Sequence, residues 1–273
     1  MQAVEDKMKG LLSELMKLSY LKDHYLVGGT NLALRYNHRT SIDLDLFVER
    51  DFDEDVSFNL NKKLKKSFGA RYESLSISGV GVFGYIDGIK VDLLNYPFKT
   101  LLEIEIFEGV RLASPLDIGA MKIKAIIGRG SRKDFYDLHQ LIQEYPLLEI
   151  MQAYQKKYFV DHIGQAKMAL TYFVDAEDNA KRDNQFVSIS NISWKTIKKD
   201  IPKAINQLET DIVVQLAVKF HNENNYTDKK TADVKKALAV AFNEKFGKPL
   251  TKSELERTIK IISQSQSNDG ASI

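Results

Sequence analysis

The stretch that decides the fold runs from Tyr25 to Phe47 and reads YLVGGTNLALRYNHRTSIDLDLF. Its opening YLVGG is an apolar run ended by two glycines, the pattern of a short buried strand and a tight turn. Asn31 to Tyr36 follows at helical spacing, so a helix is expected to begin just after Thr30. SIDLDLFVE then alternates strictly: Ile42, Leu44, Leu46 and Val48 face one way, and Ser41, Asp43, Asp45 and Phe47 the other. Two carboxylates on one face of an apolar strand are costly unless positive charge lies among them, because each raises the pKa of the other.

Working outward, Val4, Met8, Leu11, Leu12, Leu15 and Leu18 mark an amphipathic packing helix that ends near Tyr20. DEDVSFNLNKKLKKSFG reads as a second, with acids in its first turn, lysines late and Gly69 as its stop. Strand patterns cover Tyr72 to Ile86 and Ile89 to Tyr96, with a hairpin signal at Asp87-Gly88 between them. In the second, Ile89, Val91 and Leu93 share one face, and Lys90, Asp92 and Leu94 the other, so a third acid sits on a strand. Ser114 and Pro115 cap and open a helix whose apolar stripe is Leu116, Ala120, Ile123 and Ile127. Gly128 to Gly130 breaks it, and KDFYDLHQLI starts another with Phe135, Leu138 and Ile142 inward.

Beyond Pro146 the strand signals almost vanish. Residues 147 to 265 read as helices interrupted by KRDNQFVSISNIS and HNENNYTDKK, and SQSQSNDGASI as a tail frayed from about residue 265. The expected fold class is therefore α+β: a mixed sheet flanked by helices over residues 1–145, then an α-helical domain over 146–273.

Composition narrows the function. With 273 residues, 44% of them apolar, the chain can bury the cores of two modest domains. Lys plus Arg (39) nearly balances Asp plus Glu (37), so no global basic field announces a nucleic-acid track, and any polynucleotide would meet a local patch. The absence of cysteine removes disulfides, thiolate metal sites and thiol nucleophiles, which fits an intracellular protein. No apolar run approaches the roughly 20 residues of a membrane span, and the expected location is cytoplasmic. The five histidines are scattered without metal-ligand spacing, and no Ser-His-Asp arrangement is legible.

A hard divalent cation answers the crowding of the acids, since Mg²⁺ takes carboxylate oxygens and keeps its other positions for water or phosphate. Asp43 and Asp45 can flank such ions, and Asp92 completes the set if its strand lies alongside. A Gly28-Gly29-Thr30 turn ahead of a helix can offer N–H groups and a hydroxyl to phosphate. The blander alternative is that the acids solvate an exposed strand and the glycines serve a turn. Lys122 and Arg129 share a helical face, and Asp134 and Asp137 are i, i+3 neighbours. These make either an organised polar cluster or a solvated face of weak ion pairs, to which Lys124, Arg132 and Lys133 are assigned. Arg35 and Arg39 are further candidates for phosphate contact. Tyr154, Tyr158, Phe159, Tyr172, Phe173 and Trp194 read as packing residues.

Taken together, these features resemble the nucleotidyltransferase superfamily related to DNA polymerase beta, and within it the AbiEii/AbiGii toxin family. That family reads like VGGTALALRY.HR.S.DLDLF, and here the stretch is LVGGTNLALRYNHRTSIDLDLF. A later Lys... Arg-Asp-Phe-x-Asp-Leu block is similar to LDIGAMKIKAIIGRGSRKDFYDLHQLI, and YFVDAED with ISWKTIKKDI is like the family's C-terminal helical region. The resemblance spans roughly residues 20 to 205 and rests on two well-spaced blocks. It implies a nucleotidyltransferase-like sheet and transfer of a nucleoside monophosphate from a nucleoside triphosphate. Asp43, Asp45 and Asp92 would hold Mg²⁺, or Mn²⁺, in a two-ion site. Gly28, Gly29 and Thr30 would cradle the triphosphate, with Arg39 and Arg129 near it. Lys122 would contact phosphates, and Asp137 with Asp134 would orient that lysine or help to activate the acceptor. The resemblance also implies tRNA or another RNA as acceptor and a cognate antitoxin protein as partner. A different class stays open, a catalytically silent nucleotide-binding or partner-docking protein with the same fold.

Overall fold

The computed structural model describes residues 2–178, 187–223 and 231–269. Its chain forms two compact units, which divide between Pro202 and Lys203. The first is built on a seven-stranded mixed sheet. In chain order its elements are α1 (Asp6–Met16), β1 (Tyr25–Leu26), α2 (Gly28–Tyr36), β2 (Asp43–Glu49), α3 (Glu54–Phe68), β3 (Tyr72–Ser78), β4 (Gly81–Ile86) and β5 (Ile89–Tyr96). Then follow β6 (Glu105–Phe107), β7 (Val110–Leu112), α4 (Pro115–Arg129), α5 (Arg132–Leu141), α6 (Leu147–Tyr158), α7 (Gly164–Thr171) and α8 (Val174–Asp178). The strand order is β3-β4-β5-β2-β1-β7-β6, with β2 parallel to β5, β1 parallel to β7, and the other pairs antiparallel.

The alternation in β2 produces its burial. Leu44 and Leu46 are fully buried and join α1 and α3 in one core through Leu12, Leu15 and Leu64, each buried leucine contributing about 1.5–3 kcal/mol of transfer free energy. Ile42 was expected on that face but is 44% exposed, because the strand begins at Asp43 and the residue before it escapes the pleat. Asp53 caps α3 by accepting from the Val56 N–H at 2.9 Å.

Several expectations shift locally. The Tyr72 to Ile86 pattern is two strands: Gly79 and Val80 turn the chain between Ser78 and Gly81, where the apolar alternation runs on without a polar break. The Asp87-Gly88 hairpin forms as expected, with both residues at positive φ. A further hairpin, β6–β7, turns at Glu108-Gly109, also both at positive φ. The N-terminus of α4 is as read, the Ser114 hydroxyl accepting from the Asp117 N–H at 3.0 Å with Pro115 in the first turn. Its burial extends beyond one stripe: Ile118, Lys122 and Ile126 are buried as well as Ala120 and Ile123, because α4 packs against α2, α5, α6 and α7. That packing keeps α6 and α7 in the first compact unit, which ends at Pro202.

The second unit holds the rest of α9 (Trp194–Glu223), whose interior carries Pro202, with α10 (Thr231–Phe246) and α11 (Lys252–Asp269). Ala217, Phe220, Leu238, Phe242 and Ile259 form its own core. A reciprocal cap starts α11: the Thr251 hydroxyl accepts from the Glu254 N–H at 3.2 Å, and the Glu254 carboxylate from the Thr251 N–H at 2.7 Å. Helix α11 runs to Asp269; residues 270–273 of the expected tail, 181–186 of the KRDNQFVSISNIS interruption and 224–230 of HNENNYTDKK lie outside the described residues. Among the described residues, no helix is long and apolar enough to cross a membrane.

Candidate active site

Parallel pairing of β2 with β5 sets Asp45 beside Asp92 and Asp43 beside Lys90. Adjacent strands lie about 4.8 Å apart, so one register brings together acids that lie far apart in sequence. All four side chains line a cavity of about 500 Å³ over this face of the sheet. The Lys90 Nζ lies 2.5 Å from Asp92 Oδ2, while Asp92 Oδ1 is buried with no hydrogen-bond partner among the described residues. Burial, then the charges of Asp92 and Asp43, push the Asp45 carboxyl up to about 6 against the opposing pull of Lys90 and Lys122. An orphaned carboxylate oxygen beside a strained acid is the environment a hard cation relieves, so the donor set fits a divalent ion. Among the described residues, no three acid or imidazole groups are already drawn together as a metal cage.

One end of the cavity is built by α2. The helix begins at Gly28, earlier than expected, so Gly28, Gly29 and Thr30 are its first turn rather than a loop before it. Gly28 has φ +70°, and a Cβ there would stand 2.6 Å from Asp45 Oδ2; one on Gly29 would stand 2.0 Å from Arg39 Nη2. Both glycines line the cavity, and no side chain caps the helix, which leaves a positive helix end facing it beside a guanidinium. Thr30 is elsewhere. Its buried hydroxyl pairs with Ser41 Oγ at 2.8 Å and donates to the Asp43 carbonyl, tying α2 to the head of β2. Arg35 also turns away, to Glu105 at 2.8 Å.

The second sequence block supplies the adjacent wall. Lys122, Arg129 and Arg39 reach the cavity, and Asp134 and Asp137, both fully buried, stand behind them. Asp137 accepts from Arg39 Nε and Nη2 at 2.7 Å each, from His38 Nε2 at 2.7 Å, and from Lys122 Nζ at 2.6 Å. Asp134 accepts from Lys122 Nζ at 3.0 Å and from Arg129 Nε and Nη2 at 2.7 and 2.9 Å. Burial alone would raise the Asp137 carboxyl, but the charges of Arg39 and Lys122 and the His38 hydrogen bond hold it well below the usual carboxylate range. Burial likewise opposes the charge on Lys122, and Asp137 and Asp134 overcome it, so the lysine stays protonated.

The remaining wall is aromatic. Phe47 and Tyr96 pack with tilted rings at 4.7 Å between centroids, the Tyr96 and Tyr158 hydroxyls meet at 2.5 Å, and the Lys124 ammonium lies 4.6 Å from the Tyr158 ring centre. Sequence analysis put Phe47 on the acid face and Tyr158 among the packing residues without joining them into a wall. Tyr96, four residues past Asp92, lies on that strand's acid face by the same alternation, whereas Tyr158 arrives from α6. Lys90, two residues before Asp92 on the same face, was legible and unassigned.

The family profile described as nucleotidyl transferase AbiEii toxin, type IV TA system, matches residues 10–240. An uncharacterized protein of Aquifex aeolicus is 33% identical over 189 residues, covering 67% of this chain and 89% of the relative. Among solved structures, the nucleotidyltransferase toxin MenT4 of Mycobacterium tuberculosis is 15% identical with a TM-score of 0.47, covering 92% of each chain. An antigenic nucleotidyltransferase-like protein from Paracoccidioides brasiliensis is 24% identical with a TM-score of 0.41, covering 66% of this chain and 90% of that one.

Proposed function

We propose, from the premise that the chain belongs to the AbiEii nucleotidyl transferase toxin family and is a nucleotidyltransferase, that it transfers a nucleoside monophosphate from a nucleoside triphosphate to an RNA acceptor such as tRNA. The observation that carries this reading is the shared cavity: acids on β2 and β5, a glycine-opened helix end, and a basic wall backed by Asp134 and Asp137. In the reaction an acceptor hydroxyl oxygen forms a bond to the α-phosphorus, the bond from that phosphorus to the bridging oxygen breaks, and pyrophosphate leaves. Lys122, Arg129 and Arg39, with the N–H groups at Gly28 and Gly29, hold the β- and γ-phosphates and the departing pyrophosphate. Asp134 and Asp137 keep those cations aimed. Asp92, whose carboxylate lines the cavity, takes the hydroxyl proton. A divalent cation such as Mg²⁺ held by Asp43 and Asp45, next to Asp92, would neutralise charge on the phosphate oxygens. The base lies against Phe47, Tyr96 and Tyr158. As a toxin-type enzyme it would be restrained by a cognate antitoxin protein.

The test is to incubate the protein with each α-³²P-labelled triphosphate, Mg²⁺ and total RNA. Label on RNA is expected, and none with the Asp43→Ala, Asp45→Ala double variant. Nucleotide binding without label transfer would instead favour the silent-binder reading, and label on the protein itself would replace RNA with self-modification.

A further inference from the structure

Lys90 is the one feature of the acid cluster that the proposed transfer does not use. Its ammonium sits on Asp92 Oδ2 at 2.5 Å, it pairs in register with Asp43, and it lines the same cavity. A two-ion site needs its second cation between the third carboxylate and the attacking oxygen. That is the position beside Asp92, and a side chain of this protein already fills it.

We propose that Lys90 is the resident second cation of the site, so that the enzyme works with a single divalent ion, the one carried in with the triphosphate and held by Asp43 and Asp45. This rests on the nucleotidyltransfer reading and replaces the two-ion expectation with a lysine-plus-metal pair. The hydrogen-bond geometry supports it. Lys90 occupies Oδ2 of Asp92, and the buried Oδ1 has no hydrogen-bond partner among the described residues, so a fixed cation already sits on one oxygen of this carboxylate. The Lys90 side chain is 34% exposed, enough for replacement without opening the core. Lys90 is thus a positioning residue, setting the orientation and charge of Asp92.

The test counts ions rather than turnover. Mn²⁺ is titrated into the protein saturated with α,β-methylene nucleoside triphosphate and followed by electron paramagnetic resonance. The wild type is expected to bind a single Mn²⁺ per complex with no spin coupling. Lys90→Met frees Asp92 and is expected to bind a second Mn²⁺, with the coupling of ions about 4 Å apart. Lys90→Arg, which keeps the charge, is expected to stay at one. Two coupled ions in the wild type, or a single ion in Lys90→Met, would overturn the proposal while leaving nucleotidyl transfer standing. No Mn²⁺ on the wild-type complex would overturn the metal-assisted reading and this proposal with it.

Discussion

At the residue scale, the acids of the molecule divide into two kinds by their partners. Asp43, Asp45 and Asp92 face a cavity, and burial first, then the charges of Asp92 and Asp43, push Asp45 up to about 6. Asp134 and Asp137 are fully buried and saturated with cations. The first kind is poised for a ligand and the second holds the wall together. Asp137→Asn removes the carboxylate that pairs with buried Arg39 and one of the two that pair with buried Lys122, and breaking a buried pair of this kind costs about 3–5 kcal/mol. Urea unfolding should show a loss of that size. A change under about 1 kcal/mol, the range of exposed pairs, would mean that Asp137 is not a structural anchor.

At the element scale, alternation in β2 and β5 made the acids legible, because a period of two assigns faces without knowledge of the fold. What alternation could not give is register: Asp45 meets Asp92 only because β2 and β5 pair in parallel at that offset. The start of α2 was read late because glycine is a poor helix former, and here a tertiary demand overrides propensity; a Cβ on either glycine would collide with Asp45 or Arg39. Thr30, expected at the phosphate, is instead spent joining α2 to β2. The short β6–β7 hairpin has three exposed residues in β6 and an unremarkable Glu-Gly turn, so no burial pattern announced it. The aromatic wall draws on β2, β5 and α6 together and yields its own prediction. Phe47→Leu should weaken nucleoside triphosphate binding by about 1–3 kcal/mol, the range of a base–aromatic stack, and leave inorganic tripolyphosphate binding unchanged. Calorimetry distinguishes this from equal loss for both, which would move the base elsewhere.

On the scale of the whole molecule, the succession of a mixed sheet and a helical C-terminal region was legible from the sequence. Amphipathic helices announce that they pack, not against what; α6 and α7 pack on α4 and extend the first unit to Pro202. Stability of that unit should carry a pH signature from His24, which lies at the end of the segment leading into β1. Burial first, then the charges of Arg50 and Arg111, lower its pKa from 6.5 to about 4. The unfolded chain therefore binds a proton that the folded chain refuses between those values. Stability is complete above pH 6.5 and falls as pH drops toward 4, by up to about 3 kcal/mol at 1.36 kcal/mol per unit. His24→Gln should flatten that slope in urea titrations at successive pH values; an unchanged slope would assign it to other groups.

The most direct measurement of the central claim, nucleotidyl transfer at Asp43, Asp45 and Asp92, follows both ends of one triphosphate. The protein is given RNA, Mg²⁺ and the same triphosphate labelled at the α- or the γ-phosphorus. The α label should appear on the acceptor and the γ label as pyrophosphate in equal amount, with Asp45→Asn reducing both at least about a hundredfold, the loss typical of a key electrostatic group, while remaining folded. Transfer of the γ label to the acceptor, or equal transfer by Asp45→Asn, would contradict it.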